Sequence, residues 1–210
     1  MPEVPAPVTL AEFSAHADLL VEQAAIDQGG EEYWVEGAGR NADHVERAGW
    51  ILGALSPPRC RRVIEVGSAH GYYTAKLRAA GAYAVGVEAS ARWVDFATAK
   101  YGPWYFHALA EVFHPSPHIL AGGLFDGLLL GEVLEHVLDP HPVLARAEEL
   151  CEAVARYVVT VPSAAYSLNE PDHRRFIGAR ALATMLLSRG WTISEHRSNA
   201  HFRFATGCLP

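Results

Sequence analysis

The stretch "VIEVGSAHGYYTAKL", residues 63–77, joins a strand pattern to a helix pattern through two glycines. The apolar run before Gly67 is typical of a strand buried on both faces, and the run after Gly71 begins a helix. A side chain at either glycine would obstruct a ligand that approaches the backbone there, and helix N-terminal amides near Gly71 face that ligand. We predict a strand–turn–helix unit that holds a ligand; a tight turn without a ligand is the alternative interpretation.

Short apolar runs alternate with amphipathic stretches along the rest of the chain. This alternation is typical of a parallel sheet covered by helices on both faces, so the predicted fold class is α/β, doubly wound. The predicted strands are "RVIEVG" (62–67), "YAVGVEA" (83–89), "PWYFHAL" (103–109), "LFDGLLL" (124–130), "RYVVTVP" (156–162), "WTISEHR" (191–197) and "HFRFATGCL" (201–209). The predicted helices are "GYYTAKLRAA" (71–80), "SARWVDFATAKY" (90–101), "HPVLARAEELCEAVA" (141–155) and "ARALATMLLSRG" (179–190).

Residues 1–58 are predicted to be a helical cover on the same domain, and residues 59–210 the core. Two helices are expected, in "TLAEFSAHADLLVEQAAIDQ" (9–28) and "ADHVERAGWILGAL" (42–55). The second ends before Pro57-Pro58, because proline has no amide donor and restricts the residue before it. Two short helices bury too little surface to stand alone.

Composition and charge indicate the class of partner and the compartment. The net charge of −7 and the pI near 5.9 disfavour nucleic acid as a partner, although "RCRR" (59–62) is locally basic. The three cysteines form no metal-type or disulfide pattern, so a reducing cytoplasm is expected. No leader pattern or membrane-spanning run is visible, and we expect a soluble protein without a membrane partner. The sequence leaves the oligomeric state open.

Two glutamates at the first two strands indicate a nucleoside ligand. Glu88 ends the second strand, where a carboxylate can accept both hydroxyls of a ribose. Glu65 lies within the first strand, and its burial would cost several kcal/mol without a partner, for which a ligand amine is one candidate.

A second motif, "GEVLEHVLDP" (131–140), follows the fourth strand. Glu132, Glu135 and His136 stand at i, i+3 and i+4, so one helical turn would direct all three side chains to one side.

Together these motifs resemble the class I S-adenosylmethionine-dependent methyltransferases over roughly residues 60–209. The resemblance implies a Rossmann-like, mostly parallel seven-stranded sheet with an antiparallel C-terminal strand. It places Glu65 and Gly67 near the methionine moiety and Glu88 at the ribose. Where many relatives have an adenine-binding aspartate after the third strand, this chain has His107, Ala108 and Leu109. The full set of predicted cofactor-binding residues is Glu65, Gly67, Ser68, Gly71, Glu88, Ala89, Leu109 and Gly131.

Within that superfamily, E-x-x-E-H resembles the ubiquinone-biosynthesis O-methyltransferases and the RNA 3′-terminal 2′-O-methyltransferases, which hold a divalent metal there. The resemblance implies the ligands Glu132, Glu135, His136 and, from "VPSAAYSLNEPDHRRF" (161–176), His173. Two imidazoles favour Mn²⁺, Fe²⁺, Co²⁺ or Zn²⁺ over Mg²⁺. The open alternative is a metal-free pocket in which His136 acts as a general base.

The expected function is methylation of a small-molecule acceptor, on oxygen or in the near variant on nitrogen, with Glu132, Glu135 and His136 as catalytic residues. One alternative is 2′-O-methylation of an RNA 3′ end, which the acidic charge opposes. The other is a non-catalytic member of the fold that binds the cofactor or a partner protein.

Overall fold

A seven-stranded, mostly parallel sheet forms the centre of the molecule. The computed structural model describes residues 42–163 and 173–210. The strands are β1 (Arg62–Val66), β2 (Tyr83–Glu88), β3 (Tyr105–His107), β4 (Phe125–Gly131), β5 (Cys151–Pro162), β6 (Glu195–Ser198) and β7 (Phe202–Cys208). Their order is β3-β2-β1-β4-β5-β7-β6, and β7 runs antiparallel to both of its neighbours. The predicted fold class, with its antiparallel C-terminal strand, is confirmed.

Helices cover both faces of the sheet, as a doubly wound fold requires. They are α1 (Ala42–Leu55), α2 (Tyr72–Ala79), α3 (Ala91–Tyr101), the single turn α4 (Pro117–Leu120), α5 (Pro140–Leu150) and α6 (Ala179–Leu187). One core cluster packs α1 and α2 against the sheet, and the other packs α5 and α6 against the opposite face. No helix in the described part of the chain combines the length and apolar character that a bilayer crossing requires.

Helix α1 has the bounds that the sequence predicts, Ala42–Leu55. Its buried residues Ile51, Ala54 and Leu55 pack on the same core cluster as Val158 of β5 and Phe204 of β7. The first predicted cover helix, residues 9–28, lies outside the described residues. The assignment of residues 1–58 to the same domain therefore remains a prediction beyond α1.

The prediction of one helix over 141–155 is wrong in its last third. Helix α5 ends at Leu150, and Cys151 begins strand β5. Cys151 pairs with Phe125, and the amide of Leu209 donates to the carbonyl of Ala155 over 2.9 Å. Sheet pairing therefore overrides the helical pattern of "CEAVA".

Glu148 of α5 fixes the segment that follows α6. Arg189 donates from Nε and Nη2 to its two carboxylate oxygens, and Trp191 donates from Nε1, each over 2.6 Å. Burial alone would raise the pKa of Glu148, but these hydrogen bonds lower it below its ordinary value. Since the folded carboxyl has the lower pKa, its contribution to stability is complete above the ordinary pKa of 4.5. The contribution is lost as the pH falls from there through the folded value.

We predict that Glu148→Gln lowers the free energy of unfolding by about 1–2 kcal/mol at neutral pH and Tm by a few degrees. The difference from the wild type should shrink as the pH is lowered below 4.5. Denaturant unfolding at several pH values measures this. Glu149→Gln is the matched control, because the Glu149 side chain is 64% exposed and pairs only at the surface with Arg146. Equal losses in both variants would contradict a specific role for Glu148.

Candidate functional site

The predicted site residues converge on one edge of the sheet. Strands β1, β2, β4 and β5 are parallel, so their carboxyl ends meet at that edge. Glu88 ends β2 and Gly131 ends β4, with β1 between them. Strands two apart are separated by about 10 Å, so the segments after β2 and β4 lie near each other at this edge. Ser68, Ala89 and Leu109 lie in the loops that follow β1, β2 and β3 at this edge.

The glycine turn after β1 packs tightly against its surroundings. Gly67 and Gly71 have φ angles of +72° and +82°, which favour glycine. A Cβ on Gly67 would lie 2.4 Å from Val133 Cγ2, in the loop after β4. A Cβ on Gly71 would lie 2.6 Å from the Tyr105 ring, whose hydroxyl donates to the Gly71 carbonyl over 2.8 Å. Packing by the protein's own side chains thus accounts for both glycines, and a ligand at the turn remains a prediction.

Glu88 holds the glycine turn in place through its carboxylate. One oxygen accepts from the Ala69 amide over 2.7 Å, and the other accepts from the Ser90 amide over 2.8 Å. Burial raises the pKa of Glu88, while the backbone hydrogen bonds from Ser90, Ala69 and Ala89 oppose the rise. The residue is 8% exposed. A carboxylate has four lone-pair sites, so Glu88 can accept a ligand's hydroxyl in addition to these amides.

Glu65 has a partner within the protein. Its Oε2 accepts from the Thr74 amide over 2.8 Å and from the Thr74 hydroxyl over 2.6 Å, in the first turn of α2. Burial raises the pKa of Glu65 to about 7, although the hydrogen bonds from Thr74 lower it. The carboxyl group therefore changes protonation near neutral pH.

The loop after β4 is a turn and not the expected helical turn. Glu132 has a φ of +58°, and the amide of His136 donates to the carbonyl of Val133 over 3.0 Å. The i, i+3, i+4 rule does not hold for such a backbone, and Glu132 is not part of the group that Glu135 and His136 form with His173. The prediction that one helical turn aligns Glu132, Glu135 and His136 is wrong.

Three of the four expected metal ligands nevertheless lie together. One potential ligand atom from each of Glu135, His136 and His173 falls within 4.8 Å of the other two. The Glu135 carboxylate is buried 4.0 Å from His136 Nε2, and the two imidazole rings are 4.8 Å apart at 74°. The amide of Arg174 donates to the Glu135 carbonyl over 2.9 Å, which positions His173 beside the turn. The donor set fits a divalent metal that accepts nitrogen and oxygen ligands.

Glu132 instead faces Arg47, a residue that the sequence analysis did not single out. Arg47 Nη1 lies 3.6 Å from Glu132 Oε1, and Arg47 Nε donates to the Tyr73 hydroxyl over 3.0 Å. Burial raises the pKa of Glu132, and the Arg47 charge opposes that rise. The sequence signal that could have identified Arg47 is helical spacing, because Arg47 stands four residues before Ile51, on the buried stripe of α1.

Two other features lie away from this site. The basic "RCRR" segment is at the start of β1, at the opposite edge, where the Arg62 guanidinium bonds the carbonyls of Leu124 and Ile119. A groove of about 710 Å³ lies along α6 and is lined by Phe176, Arg180, Met185 and neighbours, none of which belongs to the site.

Comparisons with solved structures show the fold shared with methyltransferases. N-methyltransferase NodS from Bradyrhizobium japonicum, in complex with S-adenosylhomocysteine, has a TM-score of 0.68 at 18% identity, over 90% of this chain and 98% of that one. Magnesium protoporphyrin IX methyltransferase (ChlM) from Synechocystis, with bound S-adenosylmethionine, has a TM-score of 0.67 at 14% identity, over 99% of this chain and 100% of that one. The 1,6-didemethyltoxoflavin-N1-methyltransferase of Burkholderia thailandensis has a TM-score of 0.63 at 18% identity, over 98% of this chain and 93% of that one.

Sequence comparison gives the family. No curated protein sequence matches the chain. A family model described as a methyltransferase domain matches residues 33–196, well over half of the 210 residues. The chain therefore belongs to the methyltransferase-domain family, with the fold of the class I S-adenosylmethionine-dependent methyltransferases.

Proposed function

We propose that the protein transfers a methyl group from S-adenosylmethionine to an oxygen of a small-molecule acceptor, with a divalent metal held by Glu135, His136 and His173. One observation carries the proposal. The glycine turn with Glu88 and the Glu135–His136–His173 group occupy the same edge of the sheet, and they touch where Gly67 meets Val133.

The cofactor half of the site is the part formed by the segments after β1, β2 and β3. Glu88 would accept the ribose hydroxyls while it keeps the amides of Ala69 and Ser90. Glu65, when ionised, would pair with the amino group of the methionine moiety. Leu109 is buried after β3 and would line the adenine with Ala89. His107 stands near a family aspartate position, with its Nε2 3.0 Å from the Ala89 carbonyl oxygen.

The acceptor half is formed by the loop after β4 and the segment from His173. A metal bound there would act as a Lewis acid that lowers the pKa of the acceptor hydroxyl. Glu135 and the two imidazoles would hold it, and the buried Glu135 carboxylate would balance part of its charge. In the transfer itself, the acceptor hydroxyl loses its proton to solvent, and a lone pair of its oxygen forms the bond to the methyl carbon. The S–CH₃ bonding pair remains on sulfur, leaving the thioether product.

Nitrogen is the near variant as the acceptor atom. NodS and the toxoflavin enzyme are N-methyltransferases by name. An amine acceptor needs no metal, since His136 can accept its proton as a general base. Mn²⁺ uptake and methyl transfer after chelation distinguish the metal-assisted mechanism from the general-base mechanism. An RNA acceptor is disfavoured, because the "RCRR" arginines lie at the opposite edge of the sheet.

We predict that the wild type binds S-adenosylhomocysteine and that Glu88→Gln weakens this binding about 10- to 100-fold, because a charged hydrogen-bond acceptor is lost. Isothermal titration calorimetry measures both affinities. Glu111→Gln, an exposed change after β3, is the matched control and should bind as the wild type does. Absence of binding by well-folded wild type would overturn the proposed cofactor.

Binding of S-adenosylhomocysteine should strengthen as the pH rises through the pKa of Glu65, about 7. Below that value Glu65 is mostly protonated and cannot pair with the cofactor ammonium, and above it the carboxylate is ionised. One such group gives an affinity about tenfold higher at pH 8 than at pH 6. Calorimetry across this range should show the slope in the wild type and a flat profile in Glu65→Gln. The same slope in both proteins would remove Glu65 from cofactor binding.

His136→Ala and His173→Ala should each abolish Mn²⁺ uptake while affinity for S-adenosylhomocysteine changes less than about threefold, because an imidazole ligand is lost outside the cofactor half. Calorimetry with Mn²⁺ and then with the cofactor product measures both. His141→Ala, an exposed change at the start of α5, is the control. Full methyl transfer by the wild type after exhaustive chelation would exclude the metal from the mechanism.

A further inference from the structure

Arg47 is held from three directions beside the acceptor half. Its Nε donates to the Tyr73 hydroxyl over 3.0 Å, and its guanidinium lies 4.2 Å from the centroid of the Phe202 ring. Glu132 completes the surroundings, with 3.6 Å between Arg47 Nη1 and Glu132 Oε1. The Arg47 side chain is 12% exposed. A guanidinium fixed by a hydroxyl, a ring and a carboxylate stays charged and has little freedom to move away.

Glu132 has a backbone conformation that matches this position. A φ of +58° is unfavourable for a residue with a side chain, and it persists only where the surroundings enforce it. The amide of Glu132 donates to the Thr160 carbonyl over 3.0 Å, so the turn begins from a fixed point on β5. The Glu132 carboxylate faces Arg47 and does not belong to the group that Glu135, His136 and His173 form.

We infer that Arg47 is a positioning residue that keeps Glu132 out of the metal shell, so that the metal ligands among the described residues are Glu135, His136 and His173. The inference rests on the metal in the proposed function. It departs from the four-ligand set that E-x-x-E-H implies, because the Glu132 carboxylate faces an arginine of α1.

The three-ligand shell has consequences for metal choice. One carboxylate and two imidazoles supply a single negative charge and a majority of nitrogen donors. Mg²⁺ prefers oxygen ligands, whereas Mn²⁺, Fe²⁺, Co²⁺ and Zn²⁺ accept imidazole readily. The positive charge of Arg47 also acts on Glu135. It repels a metal dication at the site and further weakens the binding of a metal that the ligands hold weakly. The site should therefore discriminate against Mg²⁺.

Calorimetric titration of the full chain with Mn²⁺, and separately with Mg²⁺, tests the inference without an acceptor substrate. Glu135→Gln should weaken Mn²⁺ binding at least about a hundredfold. Glu132→Gln should change it less than about threefold, because that carboxylate is not a ligand. Arg47→Met, which keeps the length of the side chain without its charge, should tighten Mn²⁺ binding about tenfold and raise Mg²⁺ affinity as Glu132 is released. The double variant Arg47→Met with Glu132→Gln should lose that gain.

The outcomes separate this inference from the proposed function. Equal, large losses in Glu132→Gln and Glu135→Gln would overturn the inference and restore Glu132 as a ligand, and this pair suffices if Arg47→Met does not fold. A gain in Arg47→Met that survives in the double variant would also overturn it. Mn²⁺ uptake by Arg47→Met but not by the wild type would overturn the inference, because Glu135, His136 and His173 would then not hold a metal by themselves. If neither protein binds Mn²⁺, the inference fails, while S-adenosylhomocysteine binding tests the methyltransferase separately.

Discussion

The contact between Gly67 and Val133 joins the two halves of the site. The turn after β1 and the loop after β4 approach so closely that a Cβ on Gly67 would overlap Val133 Cγ2, at 2.4 Å. Strands β1 and β4 are hydrogen-bonded neighbours, so the sheet sets the distance between the segments that follow them. Because Gly67 has no side chain, the Val133 side chain can approach its backbone closely. The placement of the cofactor half beside the acceptor half depends on this contact. Glu88 fixes the same turn from the other side, through the amide of Ala69.

Four buried or half-buried acids meet at this edge, and each is accommodated by a different means. Glu65 accepts from Thr74, and Glu88 accepts from backbone amides. Glu132 faces the Arg47 guanidinium, and Glu135 lies against the imidazole of His136. Burying carboxylates is costly without such partners, so the site is assembled from groups whose charge is compensated locally. Positions of high electrostatic cost are typical of functional sites, which agrees with the placement of all four at the carboxyl edge.

Sequence patterns predicted the features that depend on local periodicity and on the order of elements. Helix α1, the strands of the core and the edge shared by Glu88 and the loop after β4 follow from apolar spacing and from parallel connectivity. Two local predictions failed where tertiary contacts decide the backbone. Cys151 is drawn into β5 by Phe125, and Glu132 takes a left-handed φ that breaks the helical alignment of the motif. Arg47 was missed because its role arises from Tyr73, Glu132 and Phe202, which are far from it in sequence.

The reversal of β7 has a consequence for how the molecule is made. Phe202 is the first residue of β7, and its ring covers the Arg47 guanidinium. Arg47 precedes Phe202 by more than three quarters of the described sequence. On the ribosome, α1 emerges long before its aromatic neighbour has been translated. Until the hairpin of β6 and β7 pairs with β5, the Arg47 guanidinium is therefore exposed to water or makes temporary contacts. The surroundings of Arg47 are therefore complete only after β7 has been synthesised, since they depend on contacts of very high sequence separation.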